Sequence, residues 1–356
     1  MVEFNASEQI RIKDIAEKAG VSVGTVDRVL HGRPNVSTKA REKVETVLNE
    51  INYQPNMYAS ALASNKKYNF HCLLPRHEGS AYWIDVEHGL RQATLNRRDF
   101  HLSLSITYYD QFLESSFAEA AEEALSTQPD GMVIVPQEHG VTQAFCQKLS
   151  EQNIPFIFLD SNIADINALS FYGQEPLKSG TFAARMFMLQ AAGSAEILLI
   201  RLINRGRVAS KQQEYREIGF RQYMREFCPN CKIVELNLQM NAEEDYDIQL
   251  DDFFAAHPNL RHGITFSSRV FIVGEYLLRN NRRDIRLMGY DVLDRNLECL
   301  QKGVVNFLIA QHSWRQGYEC IKSLFNHLVM KKEILRDNYM PIELLSIENY
   351  MFYHKE

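Results

Sequence analysis

From Tyr68 onward the sequence alternates short apolar runs with longer amphipathic stretches, and this alternation constrains the fold more than any other feature. The apolar runs are FHCLLP, GMVIVP, PFIFLD, ALSFYG, EILLIRL, KIVEL, GITF, IRLMGYD and NFLIAQ. Amphipathic segments such as YWIDVEHGLRQATLN, SSFAEAAEEALSTQ and SWRQGYECIKSLFNHLV lie between them. Strands alternating with helices predict parallel sheets with helices on both faces. About 290 residues are too many for one such sheet, so we expect two doubly wound lobes, with ligand bound at the carboxyl ends of the strands.

The first 54 residues have the pattern of a small helical module. Apolar residues repeat at helical spacing in three segments: Ile12, Ile15, Ala16 and Ala19, then Val26, Val29 and Leu30, then Val44, Val47, Leu48 and Ile51. Gly20 permits a tight turn, and Ser22 and Ser37 are natural N-caps for the second and third helices. This arrangement predicts a helix-turn-helix headpiece, although the spacing alone also fits an ordinary helical bundle.

A short segment, NMYASALAS, follows Pro55 and consists mostly of small residues. A helix of about eight residues is too short to be stable alone. We therefore expect residues 55–67 to form a hinge helix that orders only when something packs against it.

The balance of charge changes at the same place in the chain. Residues 1–67 carry ten Lys and Arg against eight Asp and Glu, whereas the remainder carries 29 against 37. A mildly basic head on an acidic body suits a small DNA-contacting module. The N-terminal residues do not resemble a signal peptide, and no apolar run approaches the roughly 18 residues of a membrane span. We expect a cytoplasmic protein with no membrane partner.

The stretch from Ile12 to Ser64 resembles the DNA-binding head and hinge of the lactose-repressor (LacI/GalR) family of bacterial regulators. The resemblance rests on D-I-A-x-x-A-G-V-S, T-V-x-R-V-L, S-x-x-x-R-x-x-V and Y-x-P-N. It implies a homodimer on a pseudo-palindromic operator, with the second helix in the major groove and a hinge leucine in the minor groove. The DNA-binding residues that it implies are Ser22, Val23, Gly24, Thr25, Arg28, Asn56, Leu62 and Ala63.

The side chains of the recognition helix offer few direct base contacts. Val23 can pack on a thymine methyl group and Gly24 lets the backbone approach closely, but neither side chain forms hydrogen bonds. Arg28 can bind guanine in bidentate fashion, which is worth about 1–3 kcal/mol of discrimination. Asp27 departs from the small polar residue that is usual in the family. Three interpretations stay open for it: Asp27 holds His31, accepts from a cytosine amino group, or faces solvent.

The body resembles the effector domain of the same family, which is itself related to periplasmic sugar-binding proteins. The effector-binding residues that this implies are Ser80, Tyr82, Trp83, Asp160, Arg216, Ser268, Asp291 and Gln311, mostly at strand ends. Two segments depart from the family pattern. Glu175 stands where an aspartate is usual, and Ser268 with Arg269 stands where Asn-Asp is frequent.

The predicted domains are a headpiece at 1–54, a hinge at 55–67 and a two-lobed effector domain at 68–356. Lobe 1 comprises about 68–175 and 312–340, and lobe 2 comprises about 176–311 and 341–356.

The chemistry of these residues favours a sugar as effector. Paired hydroxyls need planar donors and acceptors such as Asp160, Arg216 and Gln311, and the apolar face of a sugar needs an aromatic ring such as Trp83. Each residue also has a simpler interpretation. The aromatic pair could belong to the core, each aspartate could cap a helix, and Arg216 could form a surface ion pair. A nucleobase, a phosphorylated metabolite or a protein partner stays open in place of a sugar.

Other motifs are incomplete. The C-x-x-C of Cys228 and Cys231 falls between a helix and a strand, whereas a redox motif begins a helix after a strand. There is no phosphate-binding loop, no H-E-x-x-H and no G-x-S-x-G. Asp160 with Asp291 could in principle be a glycosidase pair, whose separation the sequence does not give. We expect no enzyme activity, no cofactor and no metal.

Overall fold

The computed structural model describes residues 11–30, 33–51, 66–77, 82–208, 210–240 and 246–354. The chain forms two compact units, and the boundary between them follows residue 63. None of the described helices is long and apolar enough to cross a membrane.

The described residues of the first unit form three helices, α1 Ile12–Ala19, α2 Val23–Leu30 and α3 Thr38–Glu50. Gly20, with φ 64°, ends α1 in the left-handed conformation. The Oγ of Ser22 accepts from the backbone N–H of Thr25 at 3.1 Å, and the Oγ of Ser37 accepts from Ala40 at 3.3 Å, so both predicted N-caps form. The core consists of Ile15, Ala16, Ala19, Val26, Val29, Val44 and Val47. The apolar spacing in the sequence therefore gives the predicted helix-turn-helix.

The described part of the second unit contains two six-stranded sheets. The strands are β1 Tyr68–Pro75, β2 Leu102–Tyr109, β3 Gly131–Ile134, β4 Phe156–Leu159, β5 Ser170–Gly173, β6 Glu196–Ile203, β7 Lys232–Gln239, β8 His262–Thr265, β9 Arg286–Tyr290, β10 Val305–Ala310, β11 Asp337–Tyr339 and β12 Glu343–Leu345. One sheet has the order β11-β5-β4-β3-β1-β2 and the other has the order β12-β10-β9-β8-β6-β7. All neighbours are parallel except β12, which runs antiparallel to β10.

Helices cover the faces of both sheets. They are α4 Tyr82–Leu95, α5 Glu114–Ser126, α6 His139–Glu151, α7 Pro176–Gln190, α8 Lys211–Phe227, α9 Tyr246–Ala256, α10 Phe271–Arg279, α11 Asp294–Gln301 and α12 Ser313–Leu328, with 3₁₀ turns at Arg98–Phe100 and Tyr350–Phe352. The central strands are buried along their length, as in β3 and β4, because helices pack on both sides. The register places Leu73 opposite Ile134, and Ile134 opposite Phe158.

The two sheets repeat one plan. In the first sheet the order from the centre outward is β3-β4-β5 on one side and β1-β2 on the other, and in the second it is β8-β9-β10 and β6-β7. Each predicted apolar run lies in one of these strands, and three further strands, β2, β11 and β12, lie at sheet edges. The predicted fold class is confirmed: a helical headpiece followed by an α/β domain of two doubly wound lobes.

Candidate functional site

The carboxyl ends of the strands in the two sheets line a cleft with two connected chambers. The deep chamber, about 150 Å³, includes Tyr82, Asp160, Arg216, Asp291 and Gln311 among its lining residues. The outer chamber, about 470 Å³, is lined by the ends of β2 to β4 and by the start of α8. Both chambers share a set of lining residues, namely Trp83, Gln111, Asp160 and Ser210.

Two aspartates occupy equivalent positions in the two lobes. Asp160 directly follows β4 with φ 67°, and Asp291 directly follows β9 with φ 71°. Their backbone N–H groups donate to the next strand of each sheet, to Tyr172 at 2.8 Å and to Ile309 at 2.9 Å. Aspartate tolerates this left-handed conformation better than most residues. Both carboxylates are almost fully buried.

Hydrogen bonds join the buried side chains of the deep chamber. The hydroxyl of Tyr82 donates to Oδ1 of Asp160 at 2.9 Å. The Nε2 of Gln311 donates to Oδ1 and Oδ2 of Asp291 at 3.0 and 2.8 Å. Arg216 donates to Oε1 of Gln311, and its guanidinium lies 4.4 Å from the centre of the Tyr290 ring. These hydrogen bonds form two groups, Arg216–Gln311–Asp291 in lobe 2 and Tyr82–Asp160 in lobe 1.

Burial controls the protonation of the carboxylates in both groups. Burial raises the pKa of Asp291 from 3.8 to about 7, although the charge of Arg216 and the hydrogen bond from Gln311 oppose the increase. Burial likewise raises the pKa of Asp160, against the charge of Arg216 and the hydrogen bond from Tyr82. The pKa of Tyr82 lies well above its ordinary value, because of burial and the neighbouring Asp160 charge. The carboxyl group of Asp291 can thus act as a hydrogen-bond donor or as an acceptor near neutral pH.

Two glycines bring Arg216 to the chamber. A Cβ atom at Gly180 on α7 would lie 1.9 Å from the carbonyl oxygen of Arg216, and one at Gly219 on α8 would lie 2.1 Å from that of Leu177. Only glycine permits the two helices to approach so closely at both points. The Arg-x-x-Gly spacing in the sequence therefore has a structural reason: its glycine sets the helix contact that directs its arginine inward.

Ion pairs between the lobes lie along the outer chamber. Arg207 contacts Glu138 at 3.2 Å, and Arg205 contacts Asp110 at 3.3 Å. Lys211 lies 4.0 Å from the same carboxylate of Glu138. These side chains are substantially exposed, and exposed ion pairs contribute only about 0–1 kcal/mol each. They can therefore break when the cleft opens.

In the first unit, the predicted DNA-binding face is exposed. The exposed residues are Ser22, Val23, Gly24 and Arg28, and Thr25 is half-buried beside them. The hydroxyls of Ser22 and Thr25 lie 2.9 Å apart. Asp27 accepts from Nη1 of Arg33 at 3.0 Å, an ion pair that none of the three interpretations of Asp27 included. Further predicted contacts lie outside the described residues: Asn56, Leu62, Ala63 and the His31 considered for Asp27.

Comparison with known proteins identifies both units. Residues 11–56 match the family described as bacterial regulatory proteins, lacI family, and residues 72–333 match a periplasmic binding protein domain. A solved structure from Bacteroides fragilis, provisionally assigned as a LacI transcriptional regulator, is 48% identical. The alignment covers 81% of this chain and 100% of that one, with a TM-score of 0.79. The chain belongs to the LacI family of bacterial regulatory proteins.

More distant LacI-type and binding-protein relatives extend the comparison. Catabolite control protein A of Staphylococcus aureus is 27% identical over 161 residues, which is 45% of this chain and 47% of that protein. The chain thus spans about half the length of the curated relatives that it matches first. A solute-binding protein from Burkholderia graminis, solved in complex with D-arabinose, is 16% identical with a TM-score of 0.70 over 82% of this chain and 99% of that one. That likeness shows the fold alone. The predicted family is confirmed.

Of the remaining residues that the sequence of this LacI-family chain singled out in the effector domain, the described ones make different contacts. Trp83 is half-buried and its ring meets that of Tyr82 edge-on, with centroids 4.9 Å apart. Ser268 lines the deep chamber, and its carbonyl accepts from Asn296 at 2.8 Å. Glu175 accepts from the backbone N–H of Lys178 and so caps α7. Ser80 lies outside the described residues.

The surface ion pair considered for Arg216 is wrong, because Arg216 is buried and donates to Gln311 and to the carbonyl of Phe266. Cys228 and Cys231 are free thiols between α8 and β7, at the position that the sequence predicts. Among the described residues, no group of three His, Cys, Asp or Glu side chains could hold a metal ion.

Two buried residues of the site were missed in the sequence. Asn296 on α11 donates to the carbonyls of Tyr290 and Asp291, each at 3.0 Å, and so holds the loop after β9. Gln212 lies one helical turn before Arg216, and its Nε2 donates to the carbonyl of Asp160 in the other lobe. Gln212 stands four residues before Arg216 at the start of one helix, and this i, i+4 spacing could have revealed Gln212 as part of the site.

Unsatisfied polar atoms indicate where a ligand would bind. In the described part of the chain, Nε of Arg216 and Oε1 of Gln212 are buried without a hydrogen-bond partner. Buried polar atoms are normally paired, because an unpaired one costs about 1–3 kcal/mol. One free donor and one free acceptor beside the same chamber suit a hydroxylated ligand.

Proposed function

We propose that this chain is a sequence-specific DNA-binding transcriptional regulator, acting as a repressor, whose operator affinity is controlled by a carbohydrate-like effector bound between the two lobes. The observation that carries the proposal is the deep chamber. Its buried carboxylates, guanidinium and amides come from both lobes, and they leave one donor and one acceptor unpaired. Such a chamber can bind hydroxyl groups and respond to them by changing the contact between the lobes.

The DNA-binding part of the proposal rests on α2. Val23 and Arg28 are exposed there, as base-contacting side chains must be. Arg28 supplies the strong hydrogen-bonding contact to guanine, and Val23 supplies an apolar contact to thymine. We further propose that Leu62 is the minor-groove wedge, that Asn56 and Ala63 add contacts, and that the protein binds a pseudo-palindromic operator as a homodimer.

The effector part rests on the match between the chamber and a polyol. Asp160 and Asp291 can each engage neighbouring hydroxyls, and Trp83 offers an aromatic surface at the junction of the two chambers. The binding of D-arabinose by the Burkholderia protein of the same fold supports a sugar. A nucleobase, a phosphorylated metabolite or a protein partner would be the outcome if sugars do not bind.

We assign the chain no catalytic role, in line with its family of transcriptional regulators. Hydrogen bonds from Tyr82 and Gln311 already engage Asp160 and Asp291 in the described chamber. Turnover of a bound sugar would contradict this assignment. A regulator of this kind acts in the cytoplasm, where bacterial DNA lies.

The test begins with the full-length protein and a pool of random DNA duplexes, from which repeated selection recovers the preferred operator. Operator binding is then titrated with neutral sugars, sugar acids, sugar phosphates and nucleobases. We expect one carbohydrate-like class to change operator affinity at least about tenfold, equivalent to about 1.4 kcal/mol. Selection that enriches no sequence would refute DNA recognition. Enrichment without a response to any sugar would refute only the effector class.

A further inference from the structure

The deep chamber carries more positive than negative charge. Arg76, Arg216 and Arg269 line it, against Asp160 and Asp291. Three arginines against two aspartates leave one positive charge uncompensated among the described lining residues. Burial raises the pKa of Asp291 to about 7, which makes the lining still more positive near neutral pH.

Of the described arginines that line this chamber, Arg76 and Arg269 form no side-chain ion pair or hydrogen bond, and Arg269 is the more buried of the two. Arg269 follows β8 and is half-buried, and its backbone N–H donates to the Oγ of Ser267 at 3.2 Å. No carboxylate of the described residues forms an ion pair with its guanidinium. Burial and the charge of Arg295 lower the pKa of Arg269, and the one described group that raises it is Tyr246.

The other arginines of lobe 2 near this strand end differ from Arg269. Arg295 forms a bidentate ion pair with Glu275, with Nε to Oε1 at 2.7 Å. Arg216 is held by Gln311 and the carbonyl of Phe266. A guanidinium that is partly removed from water without an anion is unfavourable, and a bound anion would remove that penalty.

We infer that the effector carries a negatively charged group, which Arg269 binds while the hydroxyl groups of the effector contact Asp160, Asp291 and Gln311. This inference rests on the proposed carbohydrate-like effector and narrows it to an anionic sugar derivative. A carboxylate, a sulfate and a phosphate share the required chemistry, because each accepts two parallel hydrogen bonds from a guanidinium.

The test compares each neutral sugar with its charged derivatives on the full-length protein. Isothermal titration uses glucose, glucuronate, glucose 6-sulfate and glucose 6-phosphate, and the corresponding galactose series. We expect one anionic derivative to bind at least tenfold more tightly than its neutral parent, with an affinity that falls as salt concentration increases. The three derivatives distinguish a carboxylate from a sulfate and a phosphate.

Variants assign the preference to one side chain. Arg269→Gln should reduce the preference for the anionic derivative by at least tenfold, whereas Arg269→Lys should retain most of it because the charge remains. Arg185→Gln is the matched control, because Arg185 is exposed on α7 and does not line the cleft. Circular dichroism and thermal unfolding establish that each variant is folded.

The outcomes separate this inference from the proposed function. Neutral sugars that bind as tightly as their anionic derivatives would overturn the inference and leave the carbohydrate effector standing. An unchanged preference in Arg269→Gln would overturn the role of Arg269. The absence of binding by every sugar in both series would overturn the inference together with the proposed effector class.

Discussion

Replacing Asp291 by asparagine should stabilise the ligand-free protein at alkaline pH. Asp291 is 4% exposed, and burial raises its pKa from 3.8 to about 7. Its ionised form is therefore disfavoured in the folded chain. Asparagine has nearly the same shape, carries no charge, and can still accept a hydrogen bond from Gln311 through Oδ1.

The size of the effect follows from proton linkage. Because the folded pKa is raised, the folded chain binds more protons than the unfolded chain between about pH 4 and pH 7. The contribution of Asp291 to stability is fully present below the lower pKa and is lost as pH rises through the higher one. At about 1.4 kcal/mol per unit, these two pKa values predict a loss of about 2–3 kcal/mol between about pH 5 and pH 8.

The assay is urea denaturation of the parent and of Asp291→Asn across that pH range. The free energy of unfolding of Asp291→Asn, relative to the parent, should increase by about 2–3 kcal/mol from about pH 5 to pH 8. Asp252→Asn is the matched control, because Asp252 is exposed on α9 and the substitution changes the same charge. Parallel pH profiles for the parent and Asp291→Asn would show that Asp291 does not titrate as its burial requires.

Three further substitutions test the DNA-binding helix α2, the packing of α7 against α8, and the effector site in the cleft. Arg28→Ala should remove about 1–3 kcal/mol of operator discrimination and leave weak, salt-sensitive binding, because phosphate contacts remain; a wild-type ratio of operator to random binding would contradict this. Gly219→Ala would place a methyl group 2.1 Å from the carbonyl oxygen of Leu177 and should destabilise the chain by about 1–3 kcal/mol in thermal or urea unfolding; wild-type stability would show that the helices can separate freely. Arg216→Ala should weaken the response of operator binding to the effector at least about tenfold, about 1.4 kcal/mol; a response at wild-type ligand concentrations would place the pocket elsewhere.

The sequence predicts the central strands of both sheets because parallel strands buried on both faces must be continuously apolar. Three edge strands, β2, β11 and β12, lack this signal. In β2, Ser103 is exposed and Ser105 is half-buried, and β11 and β12 are three residues each. These strands form because a neighbouring strand offers a ladder of hydrogen bonds, which a local pattern does not reveal.

The site was predictable to a similar degree. Asp160, Asp291 and Gln311 could be proposed because the resemblance to the family's effector domain implies them, and because they stand at strand ends, where ligands bind in such sheets. Their partners could not, since a hydrogen bond such as that from Tyr82 to Asp160 joins residues 78 positions apart. The pairing of Asp27 with Arg33 was missed for another reason. It crosses the turn after α2, and helical spacing predicts neighbours only three or four residues apart.

Gln311 couples the cleft to the connection between the lobes. It follows β10 of lobe 2 and precedes α12, which packs against α4 and the sheet of lobe 1. The side-chain amide nitrogen of Gln311 donates to Asp291, while its backbone carbonyl accepts from the side chain of Gln316 on α12 at 2.7 Å. His312, the next residue, has φ 57°, so the chain turns sharply at this crossover.

An effector that donates a hydroxyl to Asp291 competes directly with the amide of Gln311. The crossover would then lose one of the contacts that hold it against lobe 2, and the ion pairs along the outer chamber are too weak to preserve the arrangement alone. Ligand and crossover are thus linked through one carboxylate, and we propose that the bound ligand favours one arrangement of the lobes over the other. Under the proposed function, this competition would give the cleft a physical means of changing operator affinity through Gln311, the residue between β10 and α12.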